Sequence, residues 1–84
     1  MSRANEILDG LGGAENVKII EPCITRLRVE VEDPEKVSES ALTEAGAFGV
    51  VQVGSTVQVV VGPTADELAK EIEEIAGMAR DNKL

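Results

Sequence analysis

The sequence predicts an α+β fold, a two-layer sandwich in which a four-stranded antiparallel sheet carries three helices on one face. Two pairs of short β-branched runs, within 17–32 and 49–62, each contain a turn signal and indicate hairpins. Segments with helical spacing of apolar residues lie before, between and after these pairs. The expected element order is therefore αββαββα, and two hairpins favour antiparallel pairing.

The first predicted helix lies within SRANEILDGLGG, residues 2–13. Ser2 is a suitable N-cap, and Gly12-Gly13 ends the helix. Apolar residues at i, i+3, i+4 and i+7 put one face of this helix toward a core: Ala4, Ile7, Leu8 and Leu11.

The first predicted hairpin joins VKIIEP to TRLRVEVE. The second of these strands alternates with period two, so its side chains divide between a buried and a wet face. The buried set is Thr25, Leu27, Val29 and Val31, and the wet set is Arg26, Arg28, Glu30 and Glu32. Because Pro22 cannot donate to a ladder, we expect the turn near Glu21 to Ile24, with Cys23 inside it.

The middle helix has two possible starts, Asp33-Pro34 and Ser38. We favour Ser38, preceded by a loop or a single turn, because Val37 can then pack onto the first turns of the helix. The helix is expected to end at Gly46.

The second predicted hairpin, GVVQVGSTVQVVVG, allows two registers. A two-residue Gly54-Ser55 loop puts Gln52 and Gln58 on opposite faces, whereas a three-residue loop that adds Thr56 puts them on the same face. A slip of one residue moves every side chain to the other face, so we favour the consistent pattern of the three-residue loop. The residues then buried are Val51, Val53, Val57 and Val59.

The last helix lies within PTADELAKEIEEIAGMA and carries a long apolar stripe. Its members are Ala65, Leu68, Ala69, Ile72, Ile75, Ala76 and Ala79. A single domain over residues 1–79 is predicted, with residues 80–84 as a frayed C-terminal tail.

Composition excludes several kinds of function. The 84-residue chain has a net charge of −8, which argues against binding to nucleic acid or to an anionic membrane surface. It has one cysteine and no histidine, so an internal disulfide, a Cys/His zinc site and a Ser-His or Cys-His pair are impossible within it. It shows no apolar run of membrane-span length and no signal region, so we expect it to be cytoplasmic.

The stretch EPCITRLR sets the only thiol beside two of the eight basic residues. Arg26 and Arg28 are two apart on a strand, so they share a face with each other, and nearby cations favour the thiolate of Cys23. A guanidinium fork binds two oxygens of a tetrahedral oxyanion at once. The backbone N–H groups of Ile24 and Thr25 can add an anion nest, and Thr25 adds a hydroxyl. The segment therefore predicts a cradle for a phosphoryl group carried on sulfur.

Two plainer interpretations compete on the residues alone. A lone cysteine is most often a small core residue. The two arginines can also pair with neighbouring glutamates as an ordinary solvated strand face. The expected position of Cys23 in a turn, directly after Pro22, argues against a core cysteine.

At CITRLR, residues 23–28, the chain resembles the B domain of the glucose and N-acetylglucosamine branch of the bacterial sugar phosphotransferase system. The resemblance includes LGGAENV at 11–17, AGAFGVVQVGSTVQVVVG at 45–62 and the terminal helix, and it covers about residues 3–79. It implies that Cys23 accepts a phosphoryl group from a phosphohistidine on an A domain or protein and passes it to a sugar in a membrane-embedded C domain. It implies phosphate-stabilising roles for Arg26 and Arg28, and it places Thr25 on the motif threonine. The family fold, an antiparallel sheet with helices on one side, agrees with the fold predicted above.

The resemblance also sets expectations about partners. The donor histidine belongs to the A partner, and the chain acts at the inner face of the membrane through the C partner. A monomer without metal or cofactor is expected, either as a free-standing subunit or as an excised domain, and the sugar is glucose or N-acetylglucosamine. Two other functions stay open: a cysteine-based redox or regulatory sensor, and a structural module in which Cys23 is buried and unreactive.

Overall fold

The computed structural model describes the backbone of residues 2–81 and the side chains of residues 2–77. Residues 82–84 of the predicted tail and the side chain of Ala79 lie outside the described residues. The elements are α1 (Arg3–Gly10), β1 (Val17–Cys23), β2 (Arg26–Val31), α2 (Glu39–Glu44), β3 (Gly49–Val53), β4 (Thr56–Val60) and α3 (Ala65–Asp81), with short 3₁₀ helices at Ala14–Asn16 and Pro34–Lys36. This order confirms the predicted αββαββα arrangement.

The four strands form one antiparallel sheet in the order β1-β2-β4-β3, so β1 and β3 are its edges. All three helices lie on one face: α1 packs against α2 and α3, α3 covers β1 and β2, and α2 covers β3. The α+β two-layer sandwich is confirmed. The largest fully buried side chains come from both layers: Ile7, Leu11, Leu27, Val29, Val31, Leu42, Val57, Val59, Val61 and Ile72.

Among residues 2–81 no helix lies on the opposite face of the sheet, which we call the open face. Strand pairing and alternation arrange it in three rows that run across the sheet. The rows are Cys23–Arg26–Val60–Gly49, Glu21–Arg28–Gln58–Val51 and Ile19–Glu30–Thr56–Val53.

Helix starts follow the sequence signals. The Ser2 hydroxyl accepts a hydrogen bond from the Asn5 N–H at 3.2 Å, and the Ser38 hydroxyl accepts one from the Ala41 N–H at 3.2 Å. Asp33 caps the single 3₁₀ turn that precedes Ser38. The preference for Ser38 as the start of α2 is therefore confirmed.

A buried amide connects the end of α1 to the end of β2. The Asn16 Nδ2 donates to the Leu11 carbonyl at 2.7 Å and to the Asp33 carbonyl at 3.0 Å. Its Oδ1 accepts a hydrogen bond from the Asp33 N–H at 2.8 Å. Since Asn16 is only 3% exposed, these bonds satisfy an amide that would otherwise be costly to bury.

The turn of the first hairpin lies further along the chain than expected. The turn consists of Ile24 and Thr25, and Cys23 is the last residue of β1 rather than a turn residue. Pro22 does not end the strand, because β1 is an edge strand and tolerates one missing donor. Thr25 lies in the turn and not on the buried face.

The predicted register of the second hairpin is wrong. Its loop has two residues, Gly54 and Ser55, and Val53 pairs with Thr56. Gly54 has φ +59°, the positive angle that a tight hairpin turn takes at this position. The slip of one residue puts two valines on the open face, with Val51 53% and Val53 73% exposed.

Gln52 moves to the helix side as a consequence of that register. Gln52 does not disturb the core, because β3 is an edge strand. The Gln52 Nε2 donates a hydrogen bond to the Pro34 carbonyl at 2.9 Å. Gln58 lies on the open face, as expected. Within residues 2–81, no helix is both long and apolar enough to cross a membrane.

Candidate functional site

The thiol of Cys23 is exposed at the end of β1, where the open face meets the hairpin turn. Cys23 lies directly opposite Arg26 on β2, and such cross-strand partners have Cβ atoms about 5 Å apart. Arg28 occupies the diagonal position, at about 7–8 Å. The structure therefore brings together the three side chains that the sequence singled out. The exposed thiol contradicts the premise of a buried, unreactive cysteine.

Both guanidinium groups are held by neighbours on the open face. The Arg26 Nη1 donates to the Gln58 Oε1 at 3.0 Å. The Arg28 Nη1 forms an ion pair with the Glu21 Oε1 at 3.3 Å. Gln58 is on β4, so Arg26 extends toward the side of β2 away from Cys23, whereas Glu21 is on β1, the strand that carries Cys23.

The ion pair between Arg28 and Glu21 is well exposed, with 48% and 60% of the two side chains accessible. Pairs of this kind contribute about 0.5 kcal/mol, since water solvates both charges and salt screens them. Arg28 can therefore leave Glu21 at little cost when a stronger anion arrives. The hydrogen bond between Arg26 and Gln58 is also exposed.

Sequence reasoning did not identify Gln58 as part of the site. It placed Gln58 on the wet face, but the contact with Arg26 depends on the pairing of β2 with β4, which are far apart in the chain. From the sequence, Glu21 is only one of several neighbouring glutamates that could form an ion pair with the arginines. No local motif signals either role.

Ile24 adopts a strained backbone conformation at the site. Its φ is +57°, a left-handed angle that is an outlier for a β-branched residue. The equivalent turn position in the second hairpin is Gly54, whose φ of +59° is free of this strain. The Ile24 side chain is 87% exposed, so packing within the domain does not compensate for the strain.

The turn is anchored through Thr25. Its carbonyl accepts hydrogen bonds from the N–H groups of Val61 at 2.9 Å and Gly62 at 3.0 Å. Among residues 2–81, no hydrogen bond acceptor is found for the N–H groups of Ile24 and Thr25. Such open amides in a tight turn are suited to bind an anion, and they lie next to the thiol.

Two exposed apolar side chains flank the same end of the sheet. Phe48 is 78% exposed, and its ring packs beside Gly62, whose N–H bonds to the turn at Thr25. With Ile24 it forms a pair that we call the apolar rim. Large apolar groups left in water beside a reactive group are typical of protein docking sites.

In the described part of the chain, no group of three or more Cys, Asp or Glu is arranged to hold a metal ion. The site offers an exposed thiol, two arginines on the facing strand and the N–H groups of the turn. This arrangement defines a class of small α+β domains that present an exposed thiol and arginine side chains at one end of a sheet.

Comparisons with known proteins identify the family. Residues 5–37 match the family model described as phosphotransferase system, EIIB. The chain is 55% identical over 74 residues to the N-acetylglucosamine-specific EIIB component of a phosphotransferase system from Streptomyces coelicolor, covering 88% of this chain and 96% of that protein. It is 43% identical over 70 residues to the glucose-specific EIICBA component of Staphylococcus carnosus, covering 83% of this chain and 10% of that protein.

A solved structure agrees with these sequence matches. One domain of the phosphotransferase system IIabc component from Clostridium difficile superposes with a TM-score of 0.72 at 27% identity, covering 86% of this chain and 76% of that chain. The chain therefore belongs to the EIIB family of the phosphotransferase system, and it is a component of a sugar phosphotransferase.

Proposed function

We propose that this chain is a phosphoryl carrier in which Cys23 accepts a phosphoryl group from a phosphohistidine on an A domain or protein. It then passes the group to glucose or N-acetylglucosamine held in a membrane-embedded C domain, at the inner face of the membrane. The observation that carries the proposal is the exposed Cys23 thiol directly opposite Arg26, on a sheet face free of helices. The sugars are those named for its relatives in Streptomyces and Staphylococcus.

In the first step the Cys23 sulfur, as thiolate, attacks phosphorus in line with the phosphorus–nitrogen bond of the donor. The P–S bond forms as the P–N bond breaks, and the imidazole nitrogen leaves with the electron pair and takes up a proton. Phosphoryl transfer depends mostly on positioning and on stabilising charge on the equatorial oxygens. Arg26, Arg28 and the N–H groups of Ile24 and Thr25 supply that stabilisation.

In the second step a sugar hydroxyl attacks the phosphorus of phosphocysteine. The P–O bond forms as the P–S bond breaks, sulfur leaves as thiolate, and the hydroxyl proton passes to a base. We assign that base to the C partner, which holds the sugar. The arginines hold the oxygens through this step as well, since the same group transfers again.

The apolar rim provides the contact with the A partner. Ile24 and Phe48 are 87% and 78% exposed beside the site, so their burial contributes binding energy without any change of fold. Two side chains make a small interface, which favours rapid dissociation. A carrier must release one partner before it binds the next.

The test is to incubate the chain with the general phosphotransferase proteins, an A partner and phosphoenolpyruvate, and to measure intact mass. We expect an adduct of about 80 Da, one phosphoryl group, on the wild type. Cys23→Ser should carry none. An adduct on the serine variant would refute the assignment of Cys23.

The arginines are tested with Arg26→Lys and Arg28→Lys, which keep the charge and remove the planar fork. Both variants should keep the far-ultraviolet circular dichroism spectrum of the wild type and lose most sugar phosphorylation in membranes that contain the C partner. Full activity in both lysine variants would refute recognition by the guanidinium fork.

The exposure of Cys23 also fits the alternative, a redox or regulatory sensor. The two functions give different results in the same samples. A sensor shows fast alkylation of Cys23 but no phosphoryl adduct from phosphoenolpyruvate, whereas a carrier shows both.

A further inference from the structure

Two anionic positions and two cations form a square at the corner of the open face. On β1, Glu21 and Cys23 are two residues apart and point to the same side of the sheet. On β2, Arg28 lies opposite Glu21 and Arg26 lies opposite Cys23. The positions of Glu21 and Cys23 are thus about 7 Å apart along the strand.

The two arginines are held differently while the thiol is free. A neutral amide, Gln58, holds Arg26 at 3.0 Å, and a carboxylate, Glu21, holds Arg28 at 3.3 Å. A phosphoryl group on Cys23 adds up to two negative charges. When Arg26 turns to the phosphoryl group, it leaves only the neutral amide of Gln58. When Arg28 turns to it, the Glu21 carboxylate loses its cation.

We propose that Glu21 limits how tightly the chain holds its phosphoryl group. It competes for Arg28 and repels the phosphoryl oxygens across the open face. Glu21 is a positioning residue that acts through Arg28 and through its own charge, and the inference rests on the phosphoryl-carrier function proposed above. The physical effect is to keep phosphocysteine high enough in free energy to be unloaded onto the sugar.

The size of the effect follows from the geometry. One charge acting on a doubly charged group at about 7 Å in water changes an equilibrium constant roughly sevenfold without salt. Screening over a Debye length of about 8 Å reduces this to roughly twofold at physiological ionic strength. Removal of the Glu21 carboxylate also frees Arg28 to bind the phosphoryl group, which shifts the equilibrium further toward the phosphorylated chain.

The experiment measures the equilibrium of phosphoryl exchange between the chain and its A partner. The purified chain is mixed with phosphorylated A partner until the ratio is constant, and both phosphorylated fractions are determined by intact mass. Glu21→Gln should shift the equilibrium toward the phosphorylated chain by at least about twofold at physiological salt, and the shift should grow at low salt. Glu21→Asp retains the charge and should stay within about 1.5-fold of the wild type.

A matched control removes the same charge from the same face farther from the sulfur. Glu30 lies in the third row, opposite Ile19, so Glu30→Gln should change the equilibrium less than about 1.5-fold. If Glu21→Gln and Glu30→Gln give equal constants while the wild type takes up phosphate, the role of Glu21 is overturned and the carrier function stands. If the wild type takes up no phosphate from phosphorylated A partner, the carrier function itself is overturned.

Discussion

Replacing Ile24 by glycine should separate the stability of the domain from its contact with a partner. Ile24 occupies the left-handed position of a tight turn with φ +57° and 87% of its side chain exposed. A residue under strain that makes few contacts within the domain is a poor stabiliser. We therefore expect Ile24→Gly to leave the fold intact and to slow phosphoryl transfer from the A partner.

Three terms determine the change in the free energy of unfolding. A left-handed conformation costs an L-residue about 1–2 kcal/mol, and glycine removes that cost. Glycine loses about 0.5–1 kcal/mol through its greater freedom in the unfolded chain. Full burial of an isoleucine contributes about 2 kcal/mol, so a side chain that is 87% exposed forfeits only about 0.3 kcal/mol. The sum is a change between about zero and 1 kcal/mol in favour of the variant.

The assay is urea unfolding followed by far-ultraviolet circular dichroism, because the chain has no Trp or Tyr for fluorescence. Gly54→Ile is the matched reversal, since Gly54 has φ +59° at the equivalent turn position. The same strain and chain-freedom terms with opposite sign give an expected loss of about zero to 1 kcal/mol. The transfer rate from phosphorylated A partner is measured on the same Ile24→Gly sample.

Either of two results would refute this reasoning. A loss of more than about 1 kcal/mol in Ile24→Gly would mean that the side chain supports the turn and that no strain is present. An unchanged transfer rate would mean that Ile24 is not part of the docking surface.

Three further variants test the packing by the same urea assay. Asn16→Ala should lose about 2–4 kcal/mol, because it leaves the buried Leu11 carbonyl and the part-buried N–H and carbonyl of Asp33 without this partner. Gly10→Ala should lose about 1–3 kcal/mol, because the new Cβ would lie 2.8 Å from the Leu42 Cδ2 and 3.2 Å from the Leu42 backbone nitrogen. Val53→Thr should change stability by less than about 0.5 kcal/mol, because Val53 is 73% exposed.

Each of these variants has a result that contradicts its premise. Wild-type stability of Asn16→Ala would show that water replaces the amide. Wild-type stability of Gly10→Ala would show that α1 and α2 can separate without cost. A loss above about 1 kcal/mol in Val53→Thr would indicate that Val53 is buried, as in the three-residue loop. Val57→Thr is the control, because Val57 is fully buried and its loss shows the effect of a hydroxyl in the core.

The fold could be predicted because its signals are local. The spacing of Ala4, Ile7 and Leu8, the cap at Ser38 and the alternation of β2 each depend on residues within one element. Short loops then leave few ways to combine two hairpins and three helices. The placement of Cys23, Arg26 and Arg28 on one sheet face could be predicted for the same reason, since they lie within six residues of one hairpin.

The wrong predictions concern residues whose surroundings depend on which strands lie at the edges of the sheet. Gln52 appeared too polar for the helix side, but an edge strand lets it reach the Pro34 carbonyl beyond the core. Pro22 appeared to end β1, but an edge strand accepts it within the pairing with β2. Which strands lie at the edges depends on contacts between distant parts of the chain. The contact of Gln58 with Arg26 was missed for the same reason.

Within the described residues no helix covers the open face, so the two faces of the sheet have different surroundings. Core side chains project to one side of the sheet, and the side chains to which we assign phosphate and partner contacts project to the other. Exchanges among Glu21, Gln58, Val51 and Val53 can therefore retune transfer or partner choice while the melting temperature hardly moves. In a domain built this way, residues of the open face can change between transport systems without changes in the hydrophobic core.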